Sequence, residues 1–242
     1  MDKKDLAFSG YECISFDFLG KEAKVIKPNC APNGSWALKT EYFGAFPEVE
    51  LELLERGFHI AYIKNENRWA EEYDLERKEA FVRYIPTRFG LRERCVLVGM
   101  SCGGLYAVKL AARAPELVSA LYLDAPVINL MSCPFGLTGE LSSIIDEYVS
   151  CTGRGREQMK DYTDHPYNKL DILTDNSLPV ILVAGDSDTT VPYGENGRLL
   201  AEHYERVGGT IEVHIKKGCE HHPHGLPDPK IIADFLERYS RP

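Results

Sequence analysis

Gly99-Met100-Ser101-Cys102-Gly103 decides the reading of this chain. The stretch has the form G-x-S-x-G. The apolar run Cys95-Val96-Leu97-Val98 precedes it, and Leu105 to Ala114 follows with helical spacing. Strand, sharp turn and helix together expose a serine hydroxyl at the end of a sheet strand, where it can act as a nucleophile. Small residues flank the serine because a strained turn brings backbone segments close together. The N-terminus of the following helix lies near any negative charge that develops on a substrate. The bare pattern is short, so its meaning rests on the strand and helix around it and on two later sites.

A serine hydroxyl is a poor nucleophile at neutral pH. It needs a base to take its proton, and the base needs an orienting partner. The acid candidates are Asp124, Asp186 and Asp188. Val183-Ala184-Gly185-Asp186-Ser187-Asp188-Thr189-Thr190-Val191-Pro192 leaves a strand and enters a polar loop. Asp188 lies farther into that loop and is the first choice. Asp186, next to the glycine, suits a turn, and Asp124 closes another strand. The base candidates are His221, His222 and His224 in Gly218-Cys219-Glu220-His221-His222-Pro223-His224-Gly225. Three histidines beside a cysteine also suggest a metal site, but no second ligand pair of the usual spacing accompanies them, so no metal is expected. His59, His165, His203 and His214 read as structural or surface residues. The oxyanion needs N–H donors. One is expected from the backbone of Cys102 and one from residues 29–36.

Period-2 alternation at Ile14, Phe16 and Phe18 predicts a half-buried strand over 11–18, and Glu22 to Lys27 predicts its hairpin partner. Pro28 to Gly34 reads as loop. A helix follows Pro47 and ends at Gly57, and Phe58 to Ile63 reads as strand. A charged helix spans 71–89, with Pro86 expected to kink or shorten it. Strands are predicted at 95–98, 120–123, 180–184 and 211–215. Helices are predicted after Ser101, from Glu195 to Val207, and after Asp228-Pro229. This alternation predicts one mainly parallel sheet covered on both faces. Residues 128–178 break the pattern and read as a small cap insertion, with Leu141 to Val149 helical and Tyr162 to Tyr167 a loop. Trp36 and Trp69 suit core or cap packing. Lys39 and Glu41 suit either the pocket or a solvated ion pair.

The length of 242 residues suits a single large α/β domain. A formal net charge of -9 argues against a nucleic-acid partner. Met1-Asp2-Lys3-Lys4-Asp5 is not followed by an apolar run, and no run is long enough to span a membrane. The seven cysteines have no paired spacing, which fits reduced thiols in a cytoplasmic protein. Self-association is left open.

With Ser101, an acid loop and a histidine loop in this order, the chain resembles the α/β-hydrolase superfamily over nearly its whole length. Within it, the chain resembles bacterial esterase-like serine hydrolases associated with carbohydrate breakdown. The stretches that carry this are Ser35-Trp36 through Glu41-Tyr42-Phe43-Gly44, the Gly99–Gly104 turn with Leu105-Tyr106, Asp124-Ala125-Pro126-Val127, Gly185-Asp186-Ser187-Asp188 with Val191-Pro192 and Asn196, and His221 to Leu226 with Asp228-Pro229. The resemblance implies Ser101 as nucleophile, Asp188 as acid and His221 as base, with the segment near Trp36 on the oxyanion side and no cofactor. Cys102 departs from the pattern, standing where arginine is common. Glu220 stands where glycine usually precedes the histidine. The implied activity is hydrolysis of a small-molecule ester through an acyl-serine, as a small-acyl carboxylesterase or acetylesterase. Two alternatives stand beside it. One is a peptidase of the same fold, with Glu140, Asp146 or Glu147 receiving the substrate amine. The other is a non-catalytic binding protein on the hydrolase fold.

Overall fold

Burial along the strands sets the architecture. In the computed structural model, which describes residues 6–137 and 144–240, β1 (Cys13–Phe18) alternates between exposed and half-buried positions. It forms an antiparallel hairpin with β2 (Lys21–Ile26). The chain continues through β3 (Trp36–Lys39), α1 (Glu48–Glu55), β4 (His59–Ile63), α2 (Glu72–Phe89), β5 (Cys95–Met100), α3 (Cys102–Arg113) and β6 (Val118–Asp124). The long connection after β6 carries α4 (Ile145–Thr152), α5 (Arg156–Met159) and α6 (Leu170–Asp175). Then come β7 (Val180–Gly185), α7 (Gly197–Val207), β8 (Ile211–Lys216) and α8 (Lys230–Ser240).

The strands form one sheet in the order β1-β2-β4-β3-β5-β6-β7-β8. β2 meets β4 antiparallel, and every pair from β4 through β8 is parallel. This is the α/β-hydrolase fold, with an antiparallel start and a parallel body. Alternate residues of the central strands go to opposite faces. Ala120, Tyr122, Ile181 and Val183 pack with α1 and α8, whereas Leu121, Leu123, Val180 and Leu182 pack with α2, α3, α6 and α7. Both faces are covered, so β5, β6 and β7 read as near-continuous apolar runs rather than alternating ones.

Two expectations need correction. The sequence reading has seven strands, and the structure has β3 as an eighth, in the middle of the sheet. Trp36-Ala37-Leu38-Lys39 is only four residues, all buried and ending in a lysine, so neither alternation nor a long apolar run marks it. Pro86 does not shorten α2 either. It lies in the last turn, and the helix stops at Gly90, whose φ of 67° is left-handed. At the chain's end Asp228 Oδ1 accepts the Lys230 N–H at 3.0 Å, the capping bond predicted there.

The connection after β6 lies over α3, which α6 contacts. Helix α4 begins at Ile145, and the predicted helical residues Leu141–Ser143 lie outside the described residues. Trp69 packs edge-on against Tyr148 of α4, with ring centroids 4.9 Å apart. His165 is buried, and its Nδ1 accepts the Leu130 N–H at 3.2 Å. Burial pulls its pKa down to about 4, so it serves as a neutral acceptor. No helix among the described residues is long and apolar enough to cross a membrane.

Lys39 ends β3 inside the protein. Its Nζ lies 2.5 Å from Glu50 Oε1 on α1, with both side chains 1% exposed. It also donates to the Ala45 carbonyl at 3.2 Å. The pair therefore ties β3, α1 and the loop between them together. Glu41 instead accepts a hydrogen bond from Asn65 Nδ2, so Lys39 and Glu41 do not form the solvated pair considered from sequence. Removing one member leaves an unmatched buried charge. Lys39→Met should cost about 3–5 kcal/mol in urea unfolding, and Lys39→Met/Glu50→Leu should recover most of it.

Candidate active site

Ser101 occupies the turn between β5 and α3 with φ 52° and ψ -121°. A side chain in this region is strained. The turn is held on both sides: the Ser101 N–H donates to the Asp124 carbonyl at 2.9 Å, and the Ser101 carbonyl accepts from Val127 N–H at 3.0 Å. Three glycines make the turn possible. A Cβ on Gly99 would lie 2.6 Å from the Gly103 carbonyl oxygen, and one on Gly104 would lie 2.3 Å from Pro126 Cβ. On Gly103 it would lie 3.1 Å from Thr40 Oγ1.

The loops after β7 and β8 bring the partners. His221 Nε2 lies 3.1 Å from Ser101 Oγ, and its Nδ1 lies 2.7 Å from Asp188 Oδ2. Asp188 Oδ1 accepts the backbone N–H groups of Thr190 and Val191, each at 2.8 Å. Burial pushes the Asp188 carboxyl up, but the His221 hydrogen bond and the two amides outweigh it, and the net shift is below the usual value. It stays ionised and holds the imidazole with Nε2 toward the hydroxyl. Asp186 binds the Gly218 N–H at 2.6 Å and is exposed, the turn role anticipated for it. Glu220 is exposed, while both His221 ring nitrogens are occupied by Asp188 and Ser101.

Asp124 serves a second histidine. Its Oδ1 lies 2.8 Å from His224 Nδ1, and its Oδ2 accepts from Tyr122 Oη at 2.8 Å and from Gly225 N–H at 2.6 Å. Asp124 is fully buried. It is therefore not the acid of the Ser101 relay. His222 is exposed and stacks on Phe46 at 5.4 Å. Burial and the neighbouring imidazoles lower its pKa.

Ser101 and His221 open into a cavity of about 320 Å³ lined also by Tyr42, Phe46, Arg68, Cys102, Cys133 and Ile144. Cys102 is the first residue of α3, where a helix leaves its amide N–H without an internal acceptor. Burial pushes its thiol up to about 11, so the side chain remains neutral. Trp36 must be corrected. It starts β3, is 1% exposed, and gives its indole N–H to the Arg92 carbonyl at 2.9 Å. Because β3 runs parallel to β5 with Lys39 opposite Val98, Trp36 lies at the end of the sheet away from Ser101. The loop after β3 faces the serine, and it presents Tyr42. Burial and the adjacent Cys102 push the Tyr42 phenol pKa up, which keeps it a hydroxyl donor. Sequence reasoning missed this placement because it assigned no strand to residues 36–39. Arg68 supplies a guanidinium to the cavity although Cys102 does not, and it is hydrogen-bonded by Glu147 of α4.

Residues 72–239 match the prolyl oligopeptidase family. The chain belongs to that family. Its fold is shared with solved structures of low identity. A truncated carbohydrate esterase from gut microbiota superposes with a TM-score of 0.72 at 14% identity, covering 90% of each chain. Est1E from Butyrivibrio proteoclasticus gives 0.65 at 17% identity, covering 94% of this chain and 96% of that one. Porphyromonas gingivalis dipeptidyl peptidase 4 gives 0.70 at 14% identity, and here 95% of this chain spans only 35% of the other. The prolyl oligopeptidase family match covers the serine turn, the Asp188 loop and the histidine loop, but not β3 or Tyr42. Gly104→Ala should destabilise the protein by about 1–3 kcal/mol through overpacking against Pro126 and should abolish activity at 25 °C, checked by thermal melting alongside turnover.

Proposed function

We propose that this protein is a serine hydrolase that cleaves a small acyl ester, with a carbohydrate as the alcohol, through an acyl-serine intermediate. The observation that carries the proposal is the chain of contacts from Ser101 Oγ through His221 to Asp188, opening into the cavity. Ser101 Oγ attacks the acyl carbon as His221 Nε2 takes its proton. Asp188 holds the resulting imidazolium. The oxyanion receives the Cys102 backbone N–H and the Tyr42 hydroxyl. Collapse of the tetrahedral adduct breaks the bond to the alcohol oxygen, which takes the proton from His221. Water then attacks the acyl-serine by the same route and releases the acid.

An ester is favoured over a peptide because, among the described residues, no carboxylate considered for amine capture lines the cavity. Glu147 is bound by Arg68, and Asp146 is exposed. Glu140 lies outside the described residues. The carbohydrate rests on the likeness to a carbohydrate esterase. The family includes peptidases by name, so the substrates must be compared directly. Release of acetate from an acetylated sugar and from p-nitrophenyl acetate is expected, with no cleavage of aminoacyl p-nitroanilides. The reverse preference overturns the ester reading.

Ser101→Ala should lower kcat by about 10⁴-fold or more and abolish labelling by a fluorophosphonate. A folded wild type that does not label would instead support a binding protein. Tyr42→Phe should lower kcat about 100-fold with KM little changed. An unchanged kcat would assign the second donor to a backbone amide of the same loop.

A further inference from the structure

We propose that His221, His222 and His224 form a transition-metal site that takes Zn²⁺ and thereby switches off Ser101. Their potential ligand atoms all lie within 4.8 Å of one another. Their rings meet edge-on, with centroids 4.8–5.0 Å apart. A tetrahedral zinc site with bonds of about 2.0–2.1 Å places its nitrogens about 3.3 Å apart. Closing the cluster therefore needs the nitrogens to approach by at most about 1.5 Å, and His222 is the exposed ring of the three.

Two of the three imidazoles are already prepared as ligands. His221 Nδ1 is held by Asp188 and His224 Nδ1 by Asp124. A carboxylate on one ring nitrogen fixes the tautomer and leaves the other nitrogen's lone pair for a metal. For both residues that other nitrogen is Nε2. The catalytic relay explains this arrangement for His221. It does not explain why His224 has its own buried carboxylate, satisfied further by Tyr122 and Gly225. The charges also fit: Asp188 and Asp124 stand directly behind His221 and His224, so two carboxylates back three imidazoles and match a dication. Arg68 lines the same cavity, but Glu147 offsets its charge.

The consequence for chemistry is competition for one lone pair. In the resting arrangement the Ser101 hydroxyl donates a hydrogen bond to His221 Nε2. Zinc bound to that nitrogen removes the acceptor, and Ser101 keeps its proton. Imidazole nitrogens suit Zn²⁺ and related transition metals, whereas Mg²⁺ requires oxygen ligands. The inhibitory half of the proposal rests on the serine hydrolase reading. The binding half does not.

Chelator-stripped protein titrated with Co²⁺ should develop the visible absorption of a tetrahedral site, with no near-ultraviolet thiolate band. His222→Ala should lose that absorption. Micromolar Zn²⁺ should suppress fluorophosphonate labelling and ester turnover, with reversal by EDTA and no effect of Mg²⁺. In His222→Ala the half-inhibiting zinc concentration, measured against that variant's own zinc-free rate, should rise about 10-fold or more. His222→Gln guards against a folding effect, since residue 222 is exposed. Three results would overturn the proposal: a silent cobalt titration, a thiolate band from Cys102, Cys133 or Cys219, or equal zinc sensitivity in the variants. If the protein neither labels nor turns over ester, the cobalt titration still decides the metal site, so the two readings fail separately.

Discussion

The strained backbone of Ser101 is the constraint on which the site depends. A non-glycine residue at φ 52° and ψ -121° costs on the order of 1–3 kcal/mol, and surrounding structure must impose it. β6 does so from one side: the parallel register that sets Met100 opposite Asp124 lets the Asp124 carbonyl receive the Ser101 N–H. Pro126 and Thr40 close in on Gly104 and Gly103 from the flanks. The hydroxyl position is thus set by sheet register and by glycines that admit close backbone approach. A slip of β6 against β5 would remove both the support and the orientation of the Ser101 hydroxyl.

The same sheet edge supports two carboxylate–imidazole pairs. Asp188 on the loop after β7 orients His221, and Asp124 at the end of β6 orients His224. Each carboxylate is buried and has backbone N–H donors besides its histidine. Buried charge is tolerated when hydrogen bonds replace hydration. The two pairs differ in what they face: His221 reaches Ser101, while the His224 ring meets Phe46, His221 and His222. One edge of the sheet therefore carries the hydrogen-bonded chain Ser101–His221–Asp188 and, beside it, a second imidazole held by a carboxylate.

The cavity wall comes from segments that the sheet alone does not define. Tyr42 arrives on the loop tied down by the buried Lys39–Glu50 pair. Arg68 is hydrogen-bonded to Glu147 of the insertion, and Arg154 of the insertion is paired with Glu71 on the main body. These contacts connect the region between β6 and β7 to the loops before α2. The polar character of the cavity is set by compensated ion pairs rather than by free charge.

Much of the fold and of the Ser101–His221–Asp188 constellation was legible in the sequence. Seven strands show through alternation or apolar runs, and the glycines of the serine turn, the loop position of Asp188 and the clustered histidines are local signals. Local pattern did not separate His221 from His222 and His224, because all three share one loop; the family resemblance pointed to His221, and the tertiary structure shows that its ring meets Asp188 while His224 meets Asp124. Nor could local pattern place Trp36 and Tyr42. β3 is four residues long, and its burial comes from β4 and β5 on either side, contacts made with distant parts of the chain. The sequence by itself determined the order of chemical groups and the α/β alternation, since these depend on local periodicity and turn residues. The tertiary structure alone decided the partners of each imidazole, the tyrosine facing the serine and the closure of the cavity, since these depend on which loops the parallel register brings to one edge.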